Sequence, residues 1–169
     1  IAYGVAKAAR REGAALAFTY QNERFKERVE DMARELGSDI ALPCDVADDA
    51  QIAELFAQLG RRWDALDGLV HAIAYAPREA IAGDFLEGLS REAFRVAHDV
   101  SAYSFPALAK AALPMMQGRK GALVTLTYLG ADLPVEAWID TARAVRPDAV
   151  VLGVPTVEDL PAVREAVQA

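Results

Sequence analysis

Short apolar runs recur along this chain, each separated from the next by a helix-length stretch with one apolar face. This alternation limits the fold more than any other feature. The runs are Ala14 to Tyr20 (AALAFTY), Asp39 to Leu42 leading into Cys44-Asp45-Val46, Asp67 to Ala76 (DGLVHAIAYA), Gly121 to Ala131 (GALVTLTYLGA) and Ala149 to Val154. Each is long enough for one strand and too short for a buried helix. Between them, Phe25, Val29, Met32, Ala33 and Leu36 share one helical face before Gly37, and Ile52, Leu55, Phe56 and Leu59 share another behind a cap at Asp48 or Asp49. Strands buried on both faces and alternating with such helices imply an α/β fold. The expected architecture is a three-layer, doubly wound parallel sheet of about five strands, Rossmann- or flavodoxin-like.

The remaining helices follow the same grammar. Residues 1–13 carry alanines at helical spacing, Arg10 and Arg11 in the last turn, and Gly13 as the stop. Residues 77–90 have no clear period and read as an excursion loop. A long helix from Ser90 keeps Phe94, Ala97, Ser101, Phe105, Leu108, Ala109 and Ala112 on one face, with a kink expected at Pro106. Pro134 and Pro161 open two later helices.

Composition removes whole classes of function. With 169 residues and 53% hydrophobic content, the chain can bury one substantial core, and a single domain over 1–169 is the expectation. A net charge of −7 argues against a nucleic-acid surface and against anionic lipid. Cys44 stands alone, so no internal disulfide forms, and two histidines leave little for a zinc site. A cytoplasmic protein follows from these features. No apolar run approaches the ~20 residues that span a bilayer, and no signal-peptide pattern opens the chain.

In sheets of this class ligands bind at the carboxyl ends of the strands, so Tyr20-Gln21, Cys44-Asp45-Val46, Ala72 to Ala76 and Thr127-Tyr128 are the candidate positions. Asp45 either accepts hydrogen bonds from an adenine or ribose or closes a turn or helix cap. Cys44 reads as a small buried hydrophobe, and His71 and His98 as hydrogen-bonded packing residues. Tyr128 is either a core or rim residue or a proton donor. No G-x-G-x-x-G occurs, so the glycine turn that normally delivers a pyrophosphate to a helix N-terminus is not written in this sequence.

The segments IAYGVAKAARREGAALAFTYQNE, LGSDIALPCDVADD, WDALDGLVHAIAYAPREAIAGDF, REAFRVAHDVSAYSF and GALVTLTYLGA resemble, in order and at matching spacing, the bacterial NADH-dependent enoyl-acyl-carrier-protein reductases of the short-chain dehydrogenase superfamily. The resemblance covers residues 1–131. It implies a cofactor-binding set. Ile1 would face the nicotinamide or pyrophosphate region, Gln21 the adenosine ribose, Asp45 and Val46 the adenine, Ala72 and Ile73 the ribose side, and Leu126 the nicotinamide end. Tyr128 matches the first active-site tyrosine of that family. The Tyr-x6-Lys helix that the family carries next has no counterpart, since residues 132–169 contain neither tyrosine nor lysine.

From Tyr128 onward, YLGADLPVEAWIDTARAVRPDAVVLGVP resembles the middle of a cobalamin-binding, flavodoxin-like domain, without the D-x-H-x-x-G motif that ligates cobalamin. Two resemblances sharing one tetrapeptide imply an engineered fold chimera without catalysis, binding no cobalamin and at most residual NAD; the alternative is a truncated NADH-dependent reductase of fatty-acid biosynthesis. The chimera reading places the strand 149–154 between 14–20 and 67–74, in the order 39–44, 14–20, 149–154, 67–74, 121–128. A monomer or a dimer is expected.

Overall fold

The structure, a computed structural model, describes residues 2–125, the side chain of Phe85 excepted. These lie within one compact unit, Ile1–Leu126. The sequence expectations at Ile1, Leu126 and Tyr128, the later helices and the strand at 149–154 fall outside the described residues.

The first helix, α1 (Ala2–Arg11), stops where Gly13 takes a positive φ of 89°. Strand β1 (Phe18–Tyr20) is followed by α2 (Glu23–Glu35), whose first turn is capped by the Asn22 side chain accepting from the Arg24 N–H. Gly37, at φ 69°, closes α2, and the left-handed region it occupies would strain any side chain. The β2 strand (Ala41–Pro43) leads to α3 (Asp49–Gly60), which buries Ile52, Leu55, Phe56 and Leu59 as its periodicity predicts. The β3 strand (Gly68–His71) and β4 (Ala122–Thr125) enclose the remaining helices.

Two parallel ladders result. Phe18, Thr19 and Tyr20 pair with Ala41, Leu42 and Pro43, while Gly68 through His71 pair with Ala122 through Thr125. Neighbours 14–20/39–44 and 67–74/121–128 are therefore as expected. Among the described residues the ladders form separate two-stranded sheets rather than one sheet of about five strands, because no described strand lies between β1 and β3. What joins them is side-chain packing. Ile40 and Cys44 beside β2, and Ile52, Leu55, Phe56 and Leu59 of α3, form one buried cluster with Leu108, Ala112 and Met116 of the last described helix. Fully burying each large aliphatic side chain is worth about 1.5–3 kcal/mol, so this cluster is the main adhesive of the unit.

The segment 77–90 is not a bare loop. It holds two single-turn helices, α4 (Arg78–Ile81) and α5 (Phe85–Gly88), the second capped by Asp84 accepting from the Leu86 and Glu87 N–H groups. Helices this short show no period to read, and the Asp84 cap was the available signal.

The long helix is split. Ser90 caps α6 (Arg91–His98), a π-helical turn covers Asp99–Tyr103, and α7 (Ser104–Met116) follows. The ring of Pro106 removes one amide donor and crowds the carbonyl four residues back, so the regular ladder gives way just before it. The buried residues are Ala93 before the inserted turn and Ser104, Leu108, Ala112 and Met116 after it, and Phe94, expected inside, is 65% exposed and stacks on His98.

Candidate functional site

The carboxyl ends of β1 and β2 lie side by side because the two strands are parallel and in register, and this brings Gln21 next to Asp45. The Gln21 amide donates to Asp45 Oδ2 at 3.3 Å. Asp45 Oδ1 accepts from the Ala47 N–H at 3.1 Å, an Asx turn that aims the carboxylate along the strand ends. Asp45 is thus both a turn former and, through its second oxygen, a group available to a ligand. The helix cap belongs instead to Asp48, which accepts from the N–H groups of Ala50 and Gln51.

Gln51, missed in the sequence reading, holds this turn from behind. Its Oε1 accepts from the Asp45 N–H at 2.9 Å and its Nε2 donates to Asp48 Oδ2 at 3.1 Å. The spacing Asp48-x-x-Gln51 is that of a capping box and could have been recognised. The usual reach-back to the cap's own N–H is redirected because Asp45's carbonyl already accepts from that group at 3.1 Å. The side-chain hydrogen bond from Gln51 is the leading cause that holds the Asp48 carboxyl below its ordinary pKa, followed by the two backbone donors.

Val46 is buried with its side chain in the core cluster, so it can present only its backbone to a ligand. Beside it Cys44 is 5% exposed, and burial, reinforced by Asp45 and Asp48, pushes its thiol up to about 11. That is an inert, packed thiol, as expected. Ala72 and Ile73, half-buried, follow directly on β3. Ile73 lines an apolar cleft of about 110 Å³ together with Ala17, Thr19, Val46, Gly68 and Val70, at the facing edges of the two ladders.

His71 is a packing residue, as its position in the run implied, and it is only 1% exposed. Its Nδ1 lies 3.0 Å from Thr125 Oγ1 and its Nε2 2.8 Å from Ser104 Oγ. Burial lowers its pKa below 6.5. His98, the end of α6, is a surface stacking partner of Phe94 rather than a hydrogen-bonded core residue. Among the described residues no group of His, Cys, Asp and Glu could hold a metal ion, and no helix is long and apolar enough to cross a membrane.

A carboxylate and an amide at adjacent strand ends can together accept from and donate to the polar edge of a ligand.

Comparison with known proteins extends this reading. The family model described as Enoyl-(Acyl carrier protein) reductase matches residues 1–144. The enoyl-acyl-carrier-protein reductase (NADH) FabI of Neisseria meningitidis serogroup B is 61% identical over 131 residues, covering 78% of this chain and 50% of that protein. Its counterpart in Escherichia coli is 54% identical over 132 residues, with coverage of 78% and 50%. The chain therefore spans about half the length of the curated relatives it matches. Among solved structures, enoyl-acyl-carrier-protein reductase (NADH) from Aquifex aeolicus superposes with a TM-score of 0.75 at 44% identity, covering 85% of this chain and 61% of that one. The enoyl-acyl-carrier-protein reductase of Anaplasma phagocytophilum in complex with NAD gives 0.71 at 37%, covering 78% and 50%.

The fold is thus the Rossmann-like α/β fold of these reductases. The expectation of an engineered, catalytically silent chimera is corrected: identity to natural reductases is high over some 130 residues, and the family match runs through the supposed junction at 128–131 as far as residue 144. A long likeness and a shared parallel topology leave one conclusion, that this chain belongs to the enoyl-(acyl carrier protein) reductase family.

Proposed function

We propose that the chain is the nucleotide-binding portion of an NADH-dependent enoyl-acyl-carrier-protein reductase of fatty-acid biosynthesis, working in the cytoplasm on an enoyl thioester. The observation that carries this reading is the meeting of Gln21 and Asp45 across the ends of β1 and β2, held from behind by Gln51. Gln21 serves the adenosine ribose and Asp45 the adenine edge, with the backbone of Val46 beside it. Ala72 and Ile73 pass along the ribose on the other side. Small or half-buried residues there let a ligand approach the backbone closely. Bound NADH would supply the hydride that reduces the carbon–carbon double bond.

Ile1 and Leu126 belong to the same proposed cofactor set, and Tyr128 to the acyl-substrate end; all three lie outside the described residues. Support for the nicotinamide cofactor comes from the relatives named for NADH and from the related structure solved with NAD. The likeness of 128–169 to a cobalamin-binding domain gains no support from the comparisons and has no part in this function.

Fluorescence titration with NADH tests binding, and crotonyl-thioester-dependent oxidation of NADH tests turnover. Saturable binding abolished by Asp45→Ala supports the reading. A chain that leaves NADH fluorescence unchanged at millimolar concentration would overturn it.

A further inference from the structure

The loop that follows β3, Ala72 to Ala76, forms no helix or strand, yet the function proposed above requires it to hold a fixed path. Among the described residues, both hydrogen bonds that tie this loop to the helical layer come from one hydroxyl. Ser101 Oγ accepts from the Tyr75 N–H at 2.9 Å and donates to the Tyr75 carbonyl at 3.0 Å. A single side chain thereby satisfies both backbone groups of one loop residue, which fixes the peptide planes on either side of it. The Tyr75 ring takes no part in this and is 51% exposed.

Ser101 stands at the centre of the π-helical turn Asp99–Tyr103. The Ser104 N–H bonds to the carbonyl of Asp99, five residues back, instead of to Val100 as an α-helix would require. The Ser104 hydroxyl donates to the Val100 carbonyl at 2.7 Å. The same hydroxyl faces His71 Nε2 at 2.8 Å, and His71 reaches Thr125 at the end of β4. Ser101 and Ser104, three residues apart on one widened turn, therefore grip two neighbouring strand exits: the loop after β3 through Tyr75, and the ends of β3 and β4 through His71.

We infer that Ser101 is a positioning residue for the nucleotide site, and that the π turn is the device that aims it: by clamping the Tyr75 backbone it sets the path of Ala72 and Ile73 past the ribose. The inference rests on the function proposed above. Ser101 makes no hydrogen bond to Gln21, Asp45 or Gln51, so its effect on binding passes through the Tyr75 loop alone, where amide exchange reads it directly.

The experiment compares the parent chain with Ser101→Ala and Ser101→Thr, measuring the affinity of each for NADH and for AMP, and amide hydrogen exchange at Tyr75 without nucleotide. In the parent, the Tyr75 amide is protected. In S101A its exchange accelerates about tenfold, NADH binds about three- to tenfold more weakly, and S101T restores most of both losses. Equal NADH affinity in S101A and parent, weaker binding without faster Tyr75 exchange, or an unprotected Tyr75 amide in the parent would each overturn the positioning role. If S101A does not fold, S101T and the parent exchange rate still decide. Failure of the parent to bind either NADH or AMP would instead overturn the proposed function and, with it, the role of the turn.

Discussion

His71 and Thr125 are partners twice over: they stand opposite each other in the parallel register of β3 and β4, and their side chains meet at 3.0 Å between Nδ1 and Oγ1. The direction of that bond follows from its neighbours. Ser104 spends its proton on the Val100 carbonyl, so it can only accept from His71, which places the proton on Nε2 and leaves Nδ1 to accept from Thr125. A neutral imidazole with one defined tautomer bridges a strand to a helix.

Removing that bridge is expensive. His71→Ala leaves a cavity at an almost fully enclosed position and removes one partner each from the Ser104 and Thr125 hydroxyls, and is expected to cost about 2–4 kcal/mol in urea unfolding. His71→Gln, which retains a donor and an acceptor, is expected to cost clearly less. Equal losses for the two variants would show that the amide of glutamine does not take over the hydrogen bonds of the ring.

The same residue sets a pH dependence. Burial holds its pKa in the folded chain below the ordinary 6.5, so between those two values the unfolded chain binds a proton that the folded chain does not. Stability from this source is fully present above pH 6.5 and declines as the pH falls below it. Chemical denaturation of parent and H71Q between pH 5 and 8 is expected to show an additional acid slope in the parent alone.

Gln51→Ala frees the Asp45 N–H and removes the side-chain donor to the Asp48 carboxylate. The expected result is a small drop in melting temperature and about three- to tenfold weaker NADH and AMP binding, because the Asp45 turn is no longer held from behind. Loss of stability without loss of affinity would make Gln51 a helix-capping residue only.

Cys44 is expected to resist alkylation. A buried thiol with its pKa near 11 is almost entirely protonated at pH 8, and iodoacetamide should label it only after denaturation. Labelling of the native chain at the rate of a free thiol, followed by mass spectrometry, would contradict this.

Much of the fold could be read from periodicity. The four buried positions of α3 and the glycine stops at 13 and 37 follow from strong, regular patterns, whereas the pairing of 14–20 with 39–44 and of 67–74 with 121–128 rests on a topological argument about strand order. What escaped is what periodicity cannot encode. A π turn shifts every later residue around the helix, so one continuous helical face drawn from Ser90 to Ala112 put Phe94 in phase with residues beyond the turn and left out Ser104. Strand limits also contracted, to Phe18–Tyr20 in the first run, because Ala14 to Ala17 offer little β preference and gain no ladder partner among the described strands. Of the site, Gln21, Asp45 and Ala72 were legible as strand-end positions. Gln51, Ser101 and Ser104 act through hydrogen bonds to backbone or buried groups brought close only by folding. The chimera reading failed because a short apparent likeness after residue 128 was weighed against a far longer one before it.

The two ladders differ in what must happen before each can close. The first joins strands separated only by α2, whereas His71 and Thr125 are 54 residues apart in the chain, with every turn from α4 to α7 between them. Loop-closure entropy grows only slowly with length, but contacts between distant residues slow the approach to the native state. During synthesis the first ladder can therefore assemble while the ribosome is still adding the second, and the histidine bridge must wait for β4 to emerge.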